Sequence, residues 1–291
     1  MKINTEKELI ALCNRNRDGS FSTQAARRDI LSMSARQLVE LGFYNVPAAG
    51  LKQKHVSALL QSWKDSGLSA ATLKNRVAHL RWWSEKIGKQ NLIPRSNAEM
   101  GIADRSYVSK VSKAVTVDSS VLSTIKDERL RLSIELQAAF GLRREECLKF
   151  QPEFAMSAGP DKIQLKASWC KGGRAREIPI RTEAQRALLA KAAEMVGAGS
   201  MIPRDQTYIQ RLKQYENATN RVGMSRLHGL RHEYAQQRYQ ELTGWAAPAK
   251  GGPVSRQLTP EQKQIDLTAR LQISAELGHG REAITAVYLG R

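Results

Sequence analysis

The sequence has few cysteines and no long apolar run, and both absences limit what the protein can be. Its three cysteines, Cys13, Cys147 and Cys170, are an odd number without metal-ligand spacing, so neither a disulfide framework nor a zinc site is indicated. No stretch approaches the roughly 20 apolar residues that a membrane-spanning helix requires. The N-terminus also lacks the apolar run and small-residue cleavage site of a signal peptide. These absences predict a cytoplasmic protein without a membrane partner.

Two widespread kinds of phosphate chemistry lack their motifs as well. The acidic residues show no paired metal-binding pattern, so a two-metal nuclease is not supported. A G-x-x-x-x-G-K-[ST] loop is missing from the sequence, which argues against ATP hydrolysis. The Gly172–Gly173 pair is better interpreted as a turn. We therefore expect no metal and no cofactor.

Basic residues, in contrast, are abundant. Lys and Arg total 46 against 28 Asp and Glu, a net charge of +18. Residues 1–110 contain 18 basic and 9 acidic residues and 111–291 contain 28 and 19, so each part carries +9. Many basic proteins use such charge only for solubility, but two basic parts are expected of a protein that grips a polyanion from two sides. Nucleic acid is the favoured partner.

The first part of the chain reads as helical. Apolar spacing predicts helices over 22–42, 56–67 and 69–88, with Ser69 as a cap and glycines at the ends. The polar face of the third helix carries basic residues that either are solvated or contact phosphates; we take Lys74, Arg76 and Arg81 as candidate DNA contacts. Three tryptophans, Trp63, Trp82 and Trp83, are expected in the core rather than stacked on bases.

Periodicity is lost over 94–118 and returns in a different form beyond it. A helix is predicted from about 119 through Phe140, then a second run after Gly141 in which Cys147 is buried. Alternation over 161–180, with Ile163, Leu165 and Ala167 facing one way around a glycine turn, predicts a β-hairpin. Helices are predicted again at 182–196, around 205–220 and after His228, and a Gly/Pro-rich loop at 244–262.

Three segments hold most of the remaining signal: GLRREE at 141–146, HGLRH at 228–232 and LGHGREAITAVYLG at 277–290. Each is weak alone, because an Arg after a helix break is usually a surface residue and a Tyr near a chain end is usually core or surface. Their order is more specific. An Arg, a hairpin Lys, a His-x-x-Arg, a Leu-Gly-His and a Tyr nine residues later follow one another over 119–288.

This order resembles the tyrosine recombinase (phage integrase) family. The resemblance matches six positions to the family's catalytic residues, namely Arg143, Lys171, His228, Arg231, His279 and Tyr288. It implies cleavage and rejoining of DNA through a covalent 3′-phosphotyrosine. Glu146 and His232 are expected to orient their neighbours, and Arg174 and Arg176 of the hairpin are candidate phosphate contacts.

The chemistry explains why these residue types are needed. A phenol can attack phosphorus and conserve the bond energy as a phosphoester, so rejoining requires no ATP. Two guanidiniums, Arg143 and Arg231, suit the nonbridging oxygens because each is permanently charged and planar. Lys171 is the candidate acid for the departing 5′-oxygen, His228 the candidate base or proton relay, and His279 a candidate donor to a phosphate oxygen.

The expected fold is mainly α with a small β-sheet: a helical core-binding domain at 1–105, a linker at 106–118 and a mixed α+β catalytic domain at 119–291. By resemblance, the partners are double-stranded DNA target sites in the nucleoid, further copies of the chain in a tetramer, and accessory DNA-bending proteins. Integration or excision of a mobile element is favoured. A catalytically silent DNA-binding relative and a type IB topoisomerase remain the alternatives.

Two departures from the family pattern stand out. His279 follows Arg231 by 48 positions, which exceeds the usual spacing. The surplus falls in the 244–262 loop, which is expected to contact DNA or a neighbouring subunit. The sequence also stops three residues after Tyr288, where family members commonly carry a helix that docks on an adjacent protomer. This second departure leaves the coupling between protomers open.

Overall fold

A computed structural model describes residues 4–104, 108–109 and 111–291. The chain divides into two compact units, Met1–Ser106 and Tyr107–Arg291. Three positions of the predicted 106–118 linker, residues 106, 107 and 110, lie outside the described residues. In the part of the chain that is described, no helix is both long and apolar enough to cross a membrane.

Unit 1 contains four α-helices among its described residues. Its helices are α1 (Thr5–Arg15), α2 (Phe21–Glu40), α3 (Gln53–Asp65) and α4 (Ala70–Lys86). The three predicted helices are confirmed as α2 to α4, and the expected cap is in place, because the Ser69 side chain accepts from the Thr72 amide. Helix α1 was not predicted.

The core of unit 1 is built around the tryptophans, as predicted. Trp63 and Trp83 are almost completely buried, and each indole N–H has a partner: Trp63 donates to Gln37 Oε1 at 2.8 Å and Trp83 to the Ala48 carbonyl at 2.7 Å. Trp82 is also buried and lies under the guanidinium of Arg27, 4.1 Å from its ring centre. These rings are therefore committed to packing.

Unit 2 combines nine helices and one two-stranded sheet among its described residues. The elements are α5 (Ser119–Ser123), α6 (Glu128–Phe140), α7 (Arg144–Lys149), α8 (Pro152–Met156), β1 (Lys162–Leu165), β2 (Arg176–Pro179), α9 (Glu183–Val196), α10 (Tyr208–Arg221), α11 (Gly229–Thr243), α12 (Pro260–Glu276) and α13 (Ala286–Leu289). The predicted fold class, mainly α with a small sheet, is confirmed.

One helix prediction in unit 2 is wrong. A single helix was expected from about 119 through Phe140, but the chain forms α5 and α6 instead. Asp127 starts the second helix, because its side chain accepts from the Leu130 amide. This cap stabilises a new helix start, and apolar periodicity on either side of the break did not reveal it.

The predicted hairpin is confirmed with a shorter first strand. β1 and β2 pair antiparallel, with Ile163 opposite Ile178 and Leu165 opposite Arg176. Ile163, Leu165 and Ile178 are buried against the helices. Ala167, predicted in the strand, lies in a 3₁₀ turn instead.

Two irregular segments of unit 2 pack close to α11 and α13. The Val115 amide donates to the Gly229 carbonyl at 3.1 Å, which ties residues 111–117 to the start of α11. The loop predicted at 244–262 contains two 3₁₀ turns, and Ala249 in the first is buried. A Cβ at Gly290 would lie 2.8 Å from the Ala249 backbone nitrogen, so this loop packs against the residue that ends α13.

Candidate active site

Five of the six predicted catalytic positions come together in unit 2. Tyr288 on α13 is the centre of the group, with the phenol directed toward the start of α11 and the end of α12. Arg143 immediately precedes α7, His228 and Arg231 lie at the start of α11, and His279 follows α12. Residues at the ends of α7, α11 and α12 therefore converge on the tyrosine of α13.

The hydroxyl of Tyr288 is held by two of these groups. Arg231 Nε donates to it at 3.3 Å, and His279 Nε2 lies 3.3 Å from it on another side. The Tyr288 ring packs against the imidazole of His232, with ring centres 4.7 Å apart, and Tyr288 is only 4% exposed. The phenol is thus fixed among cationic and imidazole groups.

Arg231 is fully buried and anchored to main-chain carbonyls. Nη1 donates to the Gly141 carbonyl at 2.6 Å, and Nη2 donates to the Leu277 carbonyl. Burial lowers the pKa of Arg231 to about 10, so the guanidinium remains charged at neutral pH. Gly141 has φ +58°, and a Cβ there would lie 2.6 Å from Tyr234 Cδ1, so only glycine fits beside this anchor.

Arg143 donates to the same Leu277 carbonyl as Arg231. Its Nη2 donates to the Leu277 carbonyl at 3.2 Å and its Nη1 to Glu146 Oε1 at 2.8 Å. Its backbone N–H is capped by Glu146 Oε2 at 2.7 Å, which fixes the residue at the start of α7. Because Arg143 is 19% exposed and Arg231 is not, Arg143 presents the solvent-facing edge of the pair.

Glu146 is the carboxylate that orders the cluster, and its main partner is Arg176. Arg176 donates from Nη1 to Oε1 at 2.8 Å and from Nη2 to Oε2 at 2.7 Å, a bidentate pair in which both side chains are buried. Burial alone would raise the pKa of Glu146, but hydrogen bonding to Arg176 and the charges of Arg176 and Arg231 outweigh it and lower the pKa to about 2. The predicted orienting position of Glu146 fits this geometry.

The prediction that Arg176 contacts DNA does not fit its position. Besides Glu146, its Nε donates to the Glu276 carbonyl at 2.8 Å at the end of α12. Arg176 faces inward because it is directly opposite the buried Leu165 in the hairpin register. Its guanidinium therefore joins β2 to the first turn of α7, which follows Arg143, and to the end of α12, which precedes His279.

The histidines of the site are held neutral. Burial is the main cause that lowers the pKa of His232 to about 4, and the charges of His228, Lys113 and Arg231 act in the same direction. Burial, with the charges of Arg231, Arg143 and Arg176, also lowers the pKa of His279 to about 4. Burial, with the charges of Arg231 and Arg143, also lowers the pKa of His228. Neutral imidazoles can accept or pass on a proton at physiological pH.

Lys171, the sixth predicted position, is not part of this group. It is exposed in the turn before β2, and among the described residues it makes no hydrogen bond or ion pair with the Tyr288 cluster. Arg174, farther along the same turn, is exposed and lies against the loop of His279: a Cβ at Gly280 would be 2.6 Å from its Nη1. The turn therefore reaches the edge of the site.

The basic residues predicted to contact DNA from unit 1 are partly engaged within it. Lys74 pairs with Asp104 at 3.1 Å, and Arg81 donates to the Pro94 carbonyl and to Asn97 Oδ1. Arg76 lies over the Trp63 ring, 5.1 Å from its centre. Their charges remain near the surface, while Arg81 also braces the 94–97 loop.

Two residues that the sequence did not single out also hold the backbone around Tyr288. Gln236 Nε2 donates to the Tyr288 carbonyl at 2.9 Å, and Arg270 Nη1 donates to the Gly290 carbonyl at 3.0 Å. Gln236 follows His228 and His232 at four-residue intervals, so the three share one face of α11. That spacing was the available signal. In the described ranges, no three His, Cys, Asp or Glu side chains are grouped to hold a metal ion.

Two family models match the chain. The phage integrase N-terminal model matches residues 3–93 and the integrase model matches residues 103–237. The second match includes Arg143, Lys171, His228 and Arg231 and ends before His279 and Tyr288. No curated protein matches the chain.

Solved structures of integrases share the fold. A lambda integrase dimer bound to a COC′ core site aligns with a TM-score of 0.58 at 18% identity, over 96% of this chain and 76% of that one. A lambda integrase tetramer bound to a Holliday junction gives 0.55 at 17%, over 96% and 75%. The Tn1549 transposon integrase in complex with circular intermediate DNA gives 0.55 at 13%, over 99% and 96%. With both family models matched in chain order, this chain belongs to the tyrosine recombinase (phage integrase) family.

Proposed function

We propose that this protein cuts and rejoins double-stranded DNA at specific sites through a covalent 3′-phosphotyrosine formed by Tyr288. The observation that carries the proposal is the Tyr288 hydroxyl within 3.3 Å of both Arg231 Nε and His279 Nε2. A phenol between a permanent cation and a neutral imidazole has a group to stabilise its oxyanion and a group to exchange its proton. Both requirements of a tyrosine nucleophile are met within one chain.

In the proposed step, the Tyr288 oxygen bonds to phosphorus and the bond from phosphorus to the 5′-oxygen breaks. The hydroxyl proton goes to an imidazole, and the departing 5′-oxygen takes a proton from an acid. Attack by a 5′-hydroxyl on the phosphotyrosine reverses the step, so the number of phosphoester bonds is unchanged. The reaction then needs neither ATP nor another cofactor, and this chain's own cations replace a metal at the phosphate.

Arg143 and Arg231 are the proposed clamp for the nonbridging oxygens. Both donate to the Leu277 carbonyl, which places their guanidiniums side by side. Three guanidiniums, those of Arg143, Arg176 and Arg231, surround one carboxylate, Glu146, and the surplus positive charge suits a phosphate that gains negative charge as it becomes pentavalent. Glu146 and Arg176 act by holding Arg143 in position.

The two catalytic histidines are proposed to have different parts. His279 Nε2 is the imidazole nitrogen next to the hydroxyl, whereas the His228 ring centre lies 6.1 Å from that of Tyr288. These distances support the assignment of His279 to exchange the phenol proton and to donate to a phosphate oxygen, and of His228 to act as base or relay. His232 packs on the phenol and orients it. Lys171, on the exposed turn, is the proposed acid for the 5′-oxygen.

We further propose that the substrate is the pair of sites exchanged when a mobile element integrates or excises, with four copies of the chain on two duplexes. The structural likeness to lambda and Tn1549 integrases supports this assignment. Residues 1–110 and 111–291 each carry a net charge of +9, as expected if both units bind the phosphate backbone of double-stranded DNA. Accessory DNA-bending proteins and a nucleoid location belong to the same proposal.

A two-site plasmid assay tests this function. The sites are taken from the DNA that flanks the gene, and product topology is followed for the parent, Tyr288→Phe and Tyr208→Phe. Tyr208 lies at the start of α10 and serves as the matched control. We expect recombined products from the parent and the control and none from Tyr288→Phe. Relaxation without exchange would indicate a topoisomerase instead, and binding without any strand cleavage would indicate a silent relative.

A further inference from the structure

The helix that carries the nucleophile is too short to satisfy its own backbone. α13 spans only Ala286–Leu289, and the last four carbonyls of any α-helix have no intrahelical donor. Tyr288 is buried, so its carbonyl also cannot rely on bulk water. A buried backbone acceptor of this kind needs a donor from elsewhere in the fold.

Gln236 supplies that donor. Its Nε2 donates to the Tyr288 carbonyl at 2.9 Å, and its Oε1 accepts from Ser112 Oγ at 2.9 Å. The Gln236 side chain is 1% exposed and its amide is oriented by having one partner on each end. Reversing the amide would break the hydrogen bond to the Tyr288 carbonyl, because Oε1 cannot donate.

Gln236 also lies on the face of α11 that carries the proposed catalytic groups. It is four residues beyond His232 and eight beyond His228, and residues at such intervals share one helix face. Along this face the helix contacts Tyr288 at three levels: Arg231 at the hydroxyl, His232 at the ring and Gln236 at the carbonyl. One rigid element therefore fixes both ends of the nucleophile relative to the phosphate clamp.

We propose that Gln236, oriented by Ser112, is a positioning residue that sets the approach of the Tyr288 oxygen to the phosphate. This inference rests on the proposed function of Tyr288. A misplacement of about 1 Å can cost on the order of a hundredfold in rate. Loss of the Gln236 hydrogen bond therefore lowers the rate of strand cleavage and leaves the binding of DNA unchanged, because no DNA-binding group is removed.

The test compares Gln236→Met with Gln237→Met. Methionine preserves the length of the side chain and removes both hydrogen bonds. Gln237 is the neighbouring glutamine on the same helix, but it is exposed and bonded to Glu233. Single-turnover cleavage of a nicked substrate, dissociation constants and thermal midpoints are measured for both. We expect cleavage at least about tenfold slower for Gln236→Met and parental for Gln237→Met, with parental dissociation constants for both.

A second substrate separates positioning of Tyr288 from damage to the clamp. Replacing the scissile phosphate with a neutral methylphosphonate removes the charge that Arg143 and Arg231 are proposed to bind. The dissociation constant for this substrate, divided by that for the normal substrate, therefore measures whether the clamp is intact. A parental ratio together with slow cleavage supports the proposal. If this ratio falls together with the cleavage rate, the proposal is overturned, because Gln236 then maintains the whole site. Cleavage by Gln236→Met within twofold of the parental rate also overturns it.

Ser112→Ala keeps the question decidable where Gln236→Met fails to fold. Ser112→Ala must also slow cleavage, by less than Gln236→Met does, and must keep the parental affinity ratio. A parental cleavage rate for Ser112→Ala would overturn the proposed role of Ser112 and Gln236. The result for Tyr288→Phe distinguishes the two levels. A protein–DNA adduct that persists in Tyr288→Phe overturns the proposed function. If Tyr288→Phe forms no adduct but Gln236→Met and Ser112→Ala cleave at the parental rate, only the role of Gln236 is overturned.

Discussion

At the scale of single residues, Arg143 and Arg231 illustrate how position decides the part a charge can play. Both are guanidiniums on one carbonyl, but Arg231 is enclosed and Arg143 faces solvent. The pairing restricts each group to a narrow range of directions before any phosphate arrives. Preorganised charge of this kind is what stabilises a transition state, because no reorganisation is needed during the reaction.

Replacing either arginine of the clamp with alanine should slow cleavage on the order of a hundredfold or more, because a preorganised donor to developing charge is lost. Arg→Lys should restore little, since an ammonium lacks the planar fork. DNA affinity should fall far less, because many other cations hold the backbone. Single-turnover cleavage and binding titrations check this, with Arg144→Ala as the control, since Arg144 is exposed and paired with Glu216. Parental cleavage by Arg143→Ala would make Arg143 an ordinary surface residue.

His232 gives a prediction about stability and pH. The pKa of His232 is about 4 in the folded chain, below the ordinary histidine value of 6.5, so the unfolded chain binds the proton more readily between these values. The stability contributed by neutral His232 is therefore present above pH 6.5 and is lost as the pH falls toward 4. Urea unfolding at pH 7, 6 and 5 should show a shallower loss for His232→Gln than for the parent. Equal slopes for the two proteins would show that His232 is not held neutral by its surroundings.

At the scale of elements, the β-hairpin carries residues of opposite kinds on neighbouring positions. Arg176 lies opposite Leu165 and is buried with Glu146, whereas Arg174 is exposed in the turn. The sequence predicted the hairpin but treated both arginines as phosphate contacts. Alternation could indicate that position 176 faces inward, yet it could not reveal the buried carboxylate of Glu146, which comes from a helix 30 residues earlier.

Removing Arg176 should therefore damage the fold and removing Arg174 should not. Arg176→Ala leaves Glu146 buried without its main partner, and breaking a buried pair in this way costs about 3–5 kcal/mol. Arg174→Ala, as a surface change, should lie within about 0.5 kcal/mol of the parent. Denaturant unfolding of the two variants makes the comparison. A loss of stability that is equal for both would contradict the inward position of Arg176.

The turn of the same hairpin carries the proposed acid, and a sulfur substrate isolates its part. A 5′-bridging phosphorothiolate expels a thiolate, which needs almost no protonation. Lys171→Ala should cleave the normal substrate slowly and the sulfur substrate nearly as fast as the parent, whereas Arg143→Ala should gain far less from sulfur. Cleavage rates for both variants on both substrates decide it. If sulfur does not rescue Lys171→Ala selectively, the proton comes from another group, with Arg174 or a water next to be tested.

How much the sequence predicts also depends on the scale. Helices with a clear apolar period and a capping serine, such as α4, follow from local residues alone. The sequence also identified the five residues that meet at Tyr288, because a motif order fixes residue types even where it fixes no distance. Contacts that depend on the meeting of distant segments could not be predicted: Ser112 with Gln236, Arg270 with Gly290, or the packing of Ala249 on α13.

At the scale of the whole molecule, the proposed function combines a strongly basic chain with the buried side chain of Tyr288. The net charge of +18 explains binding to a polyanion in general, but it cannot distinguish a recombinase from a binding protein. Part of the 244–262 loop packs against the end of α13 within its own unit, and its contact with DNA or a neighbouring subunit stays a prediction. The central claim therefore rests on the chemistry of Tyr288.

The most direct measurement identifies the residue that becomes bonded to DNA. The parent protein is incubated with a nicked suicide substrate, the adduct is digested with nuclease and trypsin, and the peptides are analysed by mass spectrometry. Cleavage after Arg281 releases residues 282–291, EAITAVYLGR, in which Tyr288 is the only tyrosine. We expect this peptide to carry a nucleotide joined through its 3′-phosphate to the Tyr288 oxygen, and we expect no adduct from Tyr288→Phe. An adduct on any other peptide, or an undiminished adduct in Tyr288→Phe, would contradict it.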